Sequence, residues 1–244
     1  MGQASSFKEF RENKAKRDSQ MIDTPLPTLH GAYISPYVRK VRVALAHKSI
    51  KYNSIQQSPF GAPEEFKAIS PLSKIPCWEE DDLTLPDSSV ILSYLEHRYP
   101  EPPLLPKQAG PRARALWFEE YADTKLGETV AAVFFQRVVR PNVLKQETDK
   151  GAVKHLLEIA LPKVLTYLTN CLGEDDFMVG GSFSLADIAL TSPFVNFALA
   201  GETIDQNRWP AIANYVERVH GLPSYRPIVE ADLSGPFARF KPQK

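Results

Sequence analysis

The stretch TLHGAYISPYVRKVRVALAHKSIKYNSIQ, residues 28–56, decides the fold of the N-terminal part of this chain. Residues 28–33 and 52–56 read as strands, and residues 37–47 between them read as a helix. The apolar positions of that helix recur every three or four residues: Val38, Val41, Ala44 and Leu45. A strand, a helix and a strand in this order predict a βαβ unit.

The residues that follow predict a second half of the same domain. Residues 63–69 indicate a short helix, and residues 87–99 indicate a longer one. Between them, residues 75–78 and 83–85 flank the acidic turn 79–82 as the two strands of a β-hairpin would. The order βαβ followed by αββα therefore predicts a compact α/β domain.

A proline-rich stretch, residues 101–111, separates this domain from the rest of the chain. Proline supplies no backbone N–H to a helix or a central strand, so the stretch predicts a linker. The chain beyond it reads as helix, with no strand pattern of comparable length. Four helical segments are indicated, at about residues 111–139, 150–171, 185–199 and 210–219.

These patterns divide the chain into an N-terminal extension, residues 1–27, an α/β domain, residues 28–100, and an all-helical domain, residues 112–244. The extension carries charges of both signs. Gly2 fits the N-myristoylation pattern, yet such short patterns often match by chance, and a single acyl chain anchors a protein only marginally. We expect no stable membrane association.

Composition narrows the functional classes. Lys plus Arg and Asp plus Glu number 29 each, so the net charge favours neither nucleic acid nor an anionic membrane as a partner. Cys77 and Cys171 lack the spacing of a dithiol centre or a zinc site, and the five histidines form no metal-binding pattern. We expect a cytoplasmic protein without a metal or a nucleic-acid partner.

Four motifs occur in order along the chain: SPYVRKVR at residues 35–42, KIP at 74–76, DSSVI at 87–91 and FSLADI at 183–188. Each is a weak pattern alone, but their order and spacing, divided by the linker, are specific. Together they resemble the cytosolic glutathione transferase family, whose members join a thioredoxin-like N-terminal domain to an all-helical C-terminal domain. The resemblance covers residues 28 to about 225.

The resemblance implies an enzyme that activates the glutathione thiol as a thiolate, for conjugation to a soft electrophile or for reduction of a hydroperoxide. A free thiol with a pKa of about 8.5 is mostly protonated near pH 7, so the enzyme must lower that pKa. Ser35 would bring a hydroxyl donor and a helix N-terminus to the sulfur. Tyr33 is the rival hydroxyl, because some classes of the family use a tyrosine at the end of the first strand.

A helix-capping role for Ser35 is compatible with this chemistry. Its hydroxyl can accept a hydrogen bond from a first-turn N–H while donating its proton to a sulfur, and Pro36 suits the first helical position. A cysteine at position 35 would instead suggest disulfide exchange. The sequence therefore predicts a serine-type active site.

The resemblance also assigns the glutathione-binding residues. Ile75 would pair its backbone with the cysteinyl amide, ahead of a cis peptide bond to Pro76. Lys74 would hold the glycine carboxylate. Ser88, at a helix N-terminus, would hold the γ-glutamyl carboxylate, and Asp87 the ammonium group. Glutathione is expected as a co-substrate, with no cofactor.

We expect a small hydrophobic electrophile to lie between the domains, against the helix that carries Trp117, Tyr121, Phe134 and Phe135. Packing in the helical core is the alternative role for each of these aromatic residues. Asp123 is expected either near the γ-glutamyl group bound by a partner subunit, as in some relatives, or on a solvated helix face.

Other residues are expected to be structural. Ser184 and Asp187 have the spacing of a capping box, and Cys77 and Trp78 lie in a predicted core strand.

The resemblance implies a homodimer. The alternative function is a non-catalytic interaction or regulatory module built on the same fold. An isomerase of the zeta type is disfavoured, because the Ser-Ser-Cys run of its active site is missing.

Overall fold

The computed structural model describes residues 25–240, so the predictions for Gly2 and most of the extension lie outside the described residues. The N-terminal domain has the predicted βαβ and αββα order. Its elements are β1 (Thr28–His30), α1 (Pro36–His47), β2 (Asn53–Ile55), α2 (Glu64–Ile69), β3 (Cys77–Glu80), β4 (Leu83–Leu85) and α3 (Ser88–Arg98).

The four strands form one sheet in the order β2-β1-β3-β4. β1 is parallel to β2 and antiparallel to β3, and β3 is antiparallel to β4. The predicted acidic turn is shorter than expected, because Glu79 pairs with Thr84 and Glu80 with Leu83. The thioredoxin-like fold of this domain is confirmed.

The remaining domain is helical. The first predicted helix is a continuous segment that begins at Ala109 rather than at residue 111 and alternates between α- and π-helix. Its parts are α4 (Ala109–Tyr121), a π-helix (Ala122–Ala131), α5 (Ala132–Phe134), a second π-helix (Phe135–Val139) and α6 (Arg140–Asn142).

Three of the later helical segments follow the sequence prediction, and two further helices come after the last predicted one. They are α7 (Lys150–His155) with a π-helix (Leu156–Ala160) and α8 (Leu161–Leu172), then α9 (Leu185–Leu199), α10 (Pro210–His220), α11 (Arg226–Ser234) and a 3₁₀ helix (Pro236–Phe240). The tail past residue 225 is thus part of the fold.

Helix α9 forms the centre of the helical domain. All of its residues except Ala198 are buried, and it packs against α1 of the other domain. At its start both halves of the Ser184–Asp187 capping box are present. Asp187 accepts hydrogen bonds from the Ser184 backbone N–H, the Met178 backbone N–H and the Tyr215 hydroxyl, each at 2.8 Å. The box therefore also ties α9 to α10 and to the preceding loop.

Three cations of α1 are buried between the domains. Arg39, Lys40 and Arg42 are 0%, 1% and 7% exposed. Asp232 of α11 accepts from Arg39 Nε at 2.7 Å and from Arg42 at 2.8 Å. Buried charges persist only when they are paired, so these bonds hold α1 in a fixed position against the helical domain.

Candidate functional site

A cleft of about 880 Å³ lies between the two domains. Ser35 at the start of α1 and Ser88 at the start of α3 line one side of it, and residues of the α4–α6 segment and of α9 line the other. Two helix N-termini thus meet at one cavity, with Ser35 and Asp87 as their capping residues. Such an arrangement suits an anionic ligand.

Ser35 caps α1. Its backbone is extended, its Oγ accepts from the Val38 backbone N–H at 3.4 Å, and Pro36 takes the first helical position. Gly31 lets the chain turn from β1 into this loop, because its φ is +157° and a Cβ there would lie 2.5 Å from a Val38 methyl group. The sequence therefore brings the Ser35 hydroxyl to the cleft through a tight strand-to-helix connection.

The Tyr33 side chain contacts β2 and Arg42 rather than the cleft. Its hydroxyl donates to Ser54 Oγ on β2 at 2.8 Å, and the Arg42 guanidinium lies 3.9 Å from the centre of its ring. Tyr33 is absent from the described residues that line the cleft. Of the two candidate hydroxyls, the structure brings only that of Ser35 to the cavity.

Four of the five predicted glutathione contacts line the same cleft: Lys74, Ile75, Asp87 and Ser88. The Ile75–Pro76 peptide bond is cis, as the resemblance implies, and Pro76 is buried behind Ile75. Asp87 caps α3 by accepting from the Ser89 and Val90 backbone N–H groups at 2.9 and 3.1 Å. Asp87 as a residue is exposed to solvent.

Trp117 and Tyr121 do not line the cleft, contrary to the expectation from the sequence. Trp117 is 52% exposed and donates to the Tyr167 hydroxyl at 3.1 Å, and the Tyr121 ring packs 4.9 Å from that of Tyr167. This face of α4 turns towards α8. Phe134 and Phe135, further along the same segment, do line the cleft.

Asp123 lies in the cleft of its own chain and belongs to a polar cluster with Lys40, Glu119 and Ser89. The Lys40 ammonium contacts both carboxylates, and the Ser89 hydroxyl donates to Glu119 at 2.6 Å and to Asp123 at 3.1 Å. Burial raises the pKa of Asp123, against the opposing effect of Lys40. Its contact with a partner subunit stays a prediction.

The sequence interpretation missed Asn196 and Phe60, which also line the cleft. Asn196 is 1% exposed on α9, and its amide donates to the Ile34 carbonyl oxygen at 2.8 Å, next to Ser35. A signal was present in the sequence, because an asparagine is unusual inside the otherwise apolar run FVNFAL, residues 194–199. Phe60 stands in a loop, where no periodic pattern marks it.

Cys77 and Trp78 are core residues, each 0% exposed. Burial raises the pKa of the Cys77 thiol to about 11, so this thiol is not an activated nucleophile.

Among residues 25–240 there is no group of three or more metal-ligating side chains. Within the same residues, no helix is both long and apolar enough to cross a membrane.

Comparison with known proteins supports the family that the motifs suggest. The model of the glutathione S-transferase N-terminal domain matches residues 29–103, and that of the C-terminal domain matches residues 134–226. A solved glutathione S-transferase from Rhodospirillum rubrum F11 has 25% sequence identity and a TM-score of 0.79, over 90% of this chain and 97% of that one. The chain belongs to the glutathione S-transferase family.

Two relatives of this chain have names that state different functions. FtsZ-localized protein A of Caulobacter vibrioides is 25% identical over 206 residues, which are 83% of this chain and 90% of that protein. Maleylacetoacetate isomerase of Mus musculus is 28% identical over 181 residues, which are 70% of this chain and 77% of that protein. These similarities show the family of the chain but do not define one particular reaction.

Proposed function

We propose that this chain binds glutathione in the interdomain cleft and joins it, through its sulfur, to a soft, apolar electrophile. One observation carries the proposal: Ser35 lies at the N-terminus of α1, in the same cavity as Lys74, Asp87 and Ser88. The cavity therefore holds a hydroxyl donor for a thiolate together with groups of the right charge for both ends of the tripeptide.

The chemistry requires a lower pKa for the bound thiol. A shift of two units corresponds to about 2.7 kcal/mol of differential stabilisation, which one hydroxyl donor and a helix N-terminus can supply together. Because Ser35 Oγ already accepts from Val38 N–H, its own proton is available for the sulfur. The thiolate sulfur then forms the bond to the electrophilic carbon, and the leaving group departs with the electron pair. With a hydroperoxide, the same thiolate would attack the terminal peroxide oxygen, and the O–O bond would break as the alkoxide leaves and takes up a proton. A second glutathione would then convert the glutathione sulfenic acid to glutathione disulfide and water.

The lining of the cleft indicates the class of electrophile. Phe60, Phe134 and Phe135 give it an apolar wall, and Glu120 and Asp123 stand beside that wall. Among the described lining residues Lys74 is the one cation, and the proposal uses it for glutathione. A second substrate with a carboxylate would meet no positive partner there. We therefore expect an uncharged apolar electrophile.

The test compares two electrophiles of matched reactivity, one neutral and one carrying a carboxylate, in a glutathione conjugation assay. The proposal predicts turnover of the neutral compound at a clearly higher kcat/KM. A Lys74→Ala variant should raise KM for glutathione with a smaller effect on kcat, because the lysine contacts a part of the ligand remote from the sulfur. Absence of turnover at saturating glutathione would refute the proposal.

The second candidate is an interaction or regulatory module without thiol chemistry, which similarity to the FtsZ-localized protein A of Caulobacter vibrioides favours. A calorimetric titration with glutathione separates the two: the module predicts no binding at millimolar glutathione, and the enzyme predicts binding. An isomerase, as named for the mouse relative, would instead favour the anionic member of the substrate pair. A homodimer and a cytoplasmic location are part of the proposal.

A further inference from the structure

The loop that carries Ser35 is held from the helical domain on both sides of the serine. Asn196 Nδ2 donates to the Ile34 carbonyl oxygen at 2.8 Å, and Ser192 Oγ donates to the Pro36 carbonyl oxygen at 2.7 Å. Both donors stand on α9, one helical turn apart. The peptide group before Ser35 and the peptide group after Pro36 are thus hydrogen-bonded to the buried central helix of the other domain.

The orientation of the Asn196 amide is determined by its neighbours. Arg39 has only donors, and its Nη1 lies 2.8 Å from Asn196 Oδ1, so the amide oxygen faces the guanidinium. The Nδ2 group must then face the Ile34 carbonyl oxygen, which can only accept. Arg39 is itself fixed by Asp232 and by the Ser192 carbonyl oxygen at 2.9 Å. The donor to the loop therefore has one available direction.

We propose that Asn196 and Ser192 are positioning residues, which fix the Ser35 hydroxyl in the orientation that lets it donate to the bound sulfur. Ser35 Oγ accepts only one long bond, at 3.4 Å, from the first turn of α1. Its capping contact therefore constrains the hydroxyl weakly. The bond to Ile34 holds the peptide before Ser35, and the bond to Pro36 holds the peptide one residue further on. The backbone that sets the direction of the Ser35 Cα–Cβ bond is therefore held from both ends. This inference rests on the proposed function of Ser35.

Asn196→Asp is the sharpest perturbation. The side chain keeps its size and an acceptor for Arg39, but a carboxylate oxygen replaces the donor to Ile34. Ser192→Ala removes the donor to Pro36 in a residue that does not line the cleft. Thr191→Val is the matched control on the same helix, because its hydroxyl donates to the Asp187 carbonyl oxygen and not to the loop.

The measurement is the pH profile of kcat/KM with glutathione varied, together with the ultraviolet absorbance of the bound thiolate. If the thiol pKa rises by about one unit, activity falls roughly tenfold well below that pKa and recovers once the pH exceeds it. We expect this pattern for Asn196→Asp and Ser192→Ala. Thr191→Val should keep the wild-type profile.

Asn196→Asp also brings a negative charge into the cleft, which by itself raises the pKa of a bound thiol. Ser192→Ala adds no charge and therefore decides: an unchanged profile in that variant, or an equal loss of activity at every pH, would overturn the inference, since misfolding lowers activity without shifting a thiol pKa. The same shift in Thr191→Val would also overturn it. If wild-type protein itself fails to lower the thiol pKa of bound glutathione, the proposed function fails instead, so the two failures are distinguishable.

Discussion

Replacing Asp232 by asparagine should destabilise the protein severely, although Asp232 lies in the tail that no motif covers. Asp232 is 6% exposed, and its carboxylate accepts from Arg39 at 2.7 Å and from Arg42 at 2.8 Å. Asparagine has nearly the same shape but no charge, so two buried guanidinium groups lose their counterion. Each hydrogen bond to a charged group contributes about 1.5–3 kcal/mol, and breaking a buried pair costs about 3–5 kcal/mol.

The assay is thermal unfolding at pH 7 with a matched control. For a chain of this size, a loss of about 3–5 kcal/mol lowers Tm by roughly 6–20 °C. The control is Glu158→Gln, which removes an exposed carboxylate 4.0 Å from the Lys154 ammonium and should change stability by less than about 1 kcal/mol. A small surface effect shifts Tm by about 2 °C. If the Tm values of Asp232→Asn and Glu158→Gln differ by no more than this, Asp232 does not anchor α1 to the helical domain.

Two further predictions concern stability. Burial lowers the pKa of His220 to about 4, from an unfolded value near 6.5, so the unfolded chain binds the proton first as the pH falls. Stability should therefore decrease between pH 7 and 4.5, and His220→Gln should abolish roughly 2 kcal/mol of that decrease in urea unfolding. Asp187→Ala should cost about 3 kcal/mol or more by the same method, because it leaves the buried donors of Met178, Ser184 and Tyr215 without their acceptor. Stability within 1 kcal/mol of wild type, about the value of one hydrogen bond, would contradict this role.

The sequence predicted those parts of the fold that depend on local pattern. The apolar spacing from Val38 to Leu45 defined α1, and the Ser184–Asp187 spacing defined the start of α9. Trp117 and Tyr121 were placed wrongly in the cleft, because a helical period does not show which neighbour each face of a helix meets.

The ion pairs between distant residues could not be predicted from the sequence, for a different reason. Arg39 and Asp232 are 193 positions apart, and charged residues are expected on the surface unless they are paired. The burial of three cations on α1 therefore contradicted the ordinary expectation for their residue types. Asn196 was missed likewise, because its contact with the Ser35 loop depends on how α9 packs against α1.

The central claim is that the Ser35 hydroxyl stabilises the thiolate of bound glutathione. The most direct measurement is a pH titration of the thiolate absorbance of bound glutathione in wild-type protein, Ser35→Ala and Tyr33→Phe. We expect a thiol pKa about two units below the free value of about 8.5 in wild type and in Tyr33→Phe, and a return towards the free value in Ser35→Ala. A lowered pKa that survives in Ser35→Ala but is lost in Tyr33→Phe would contradict it.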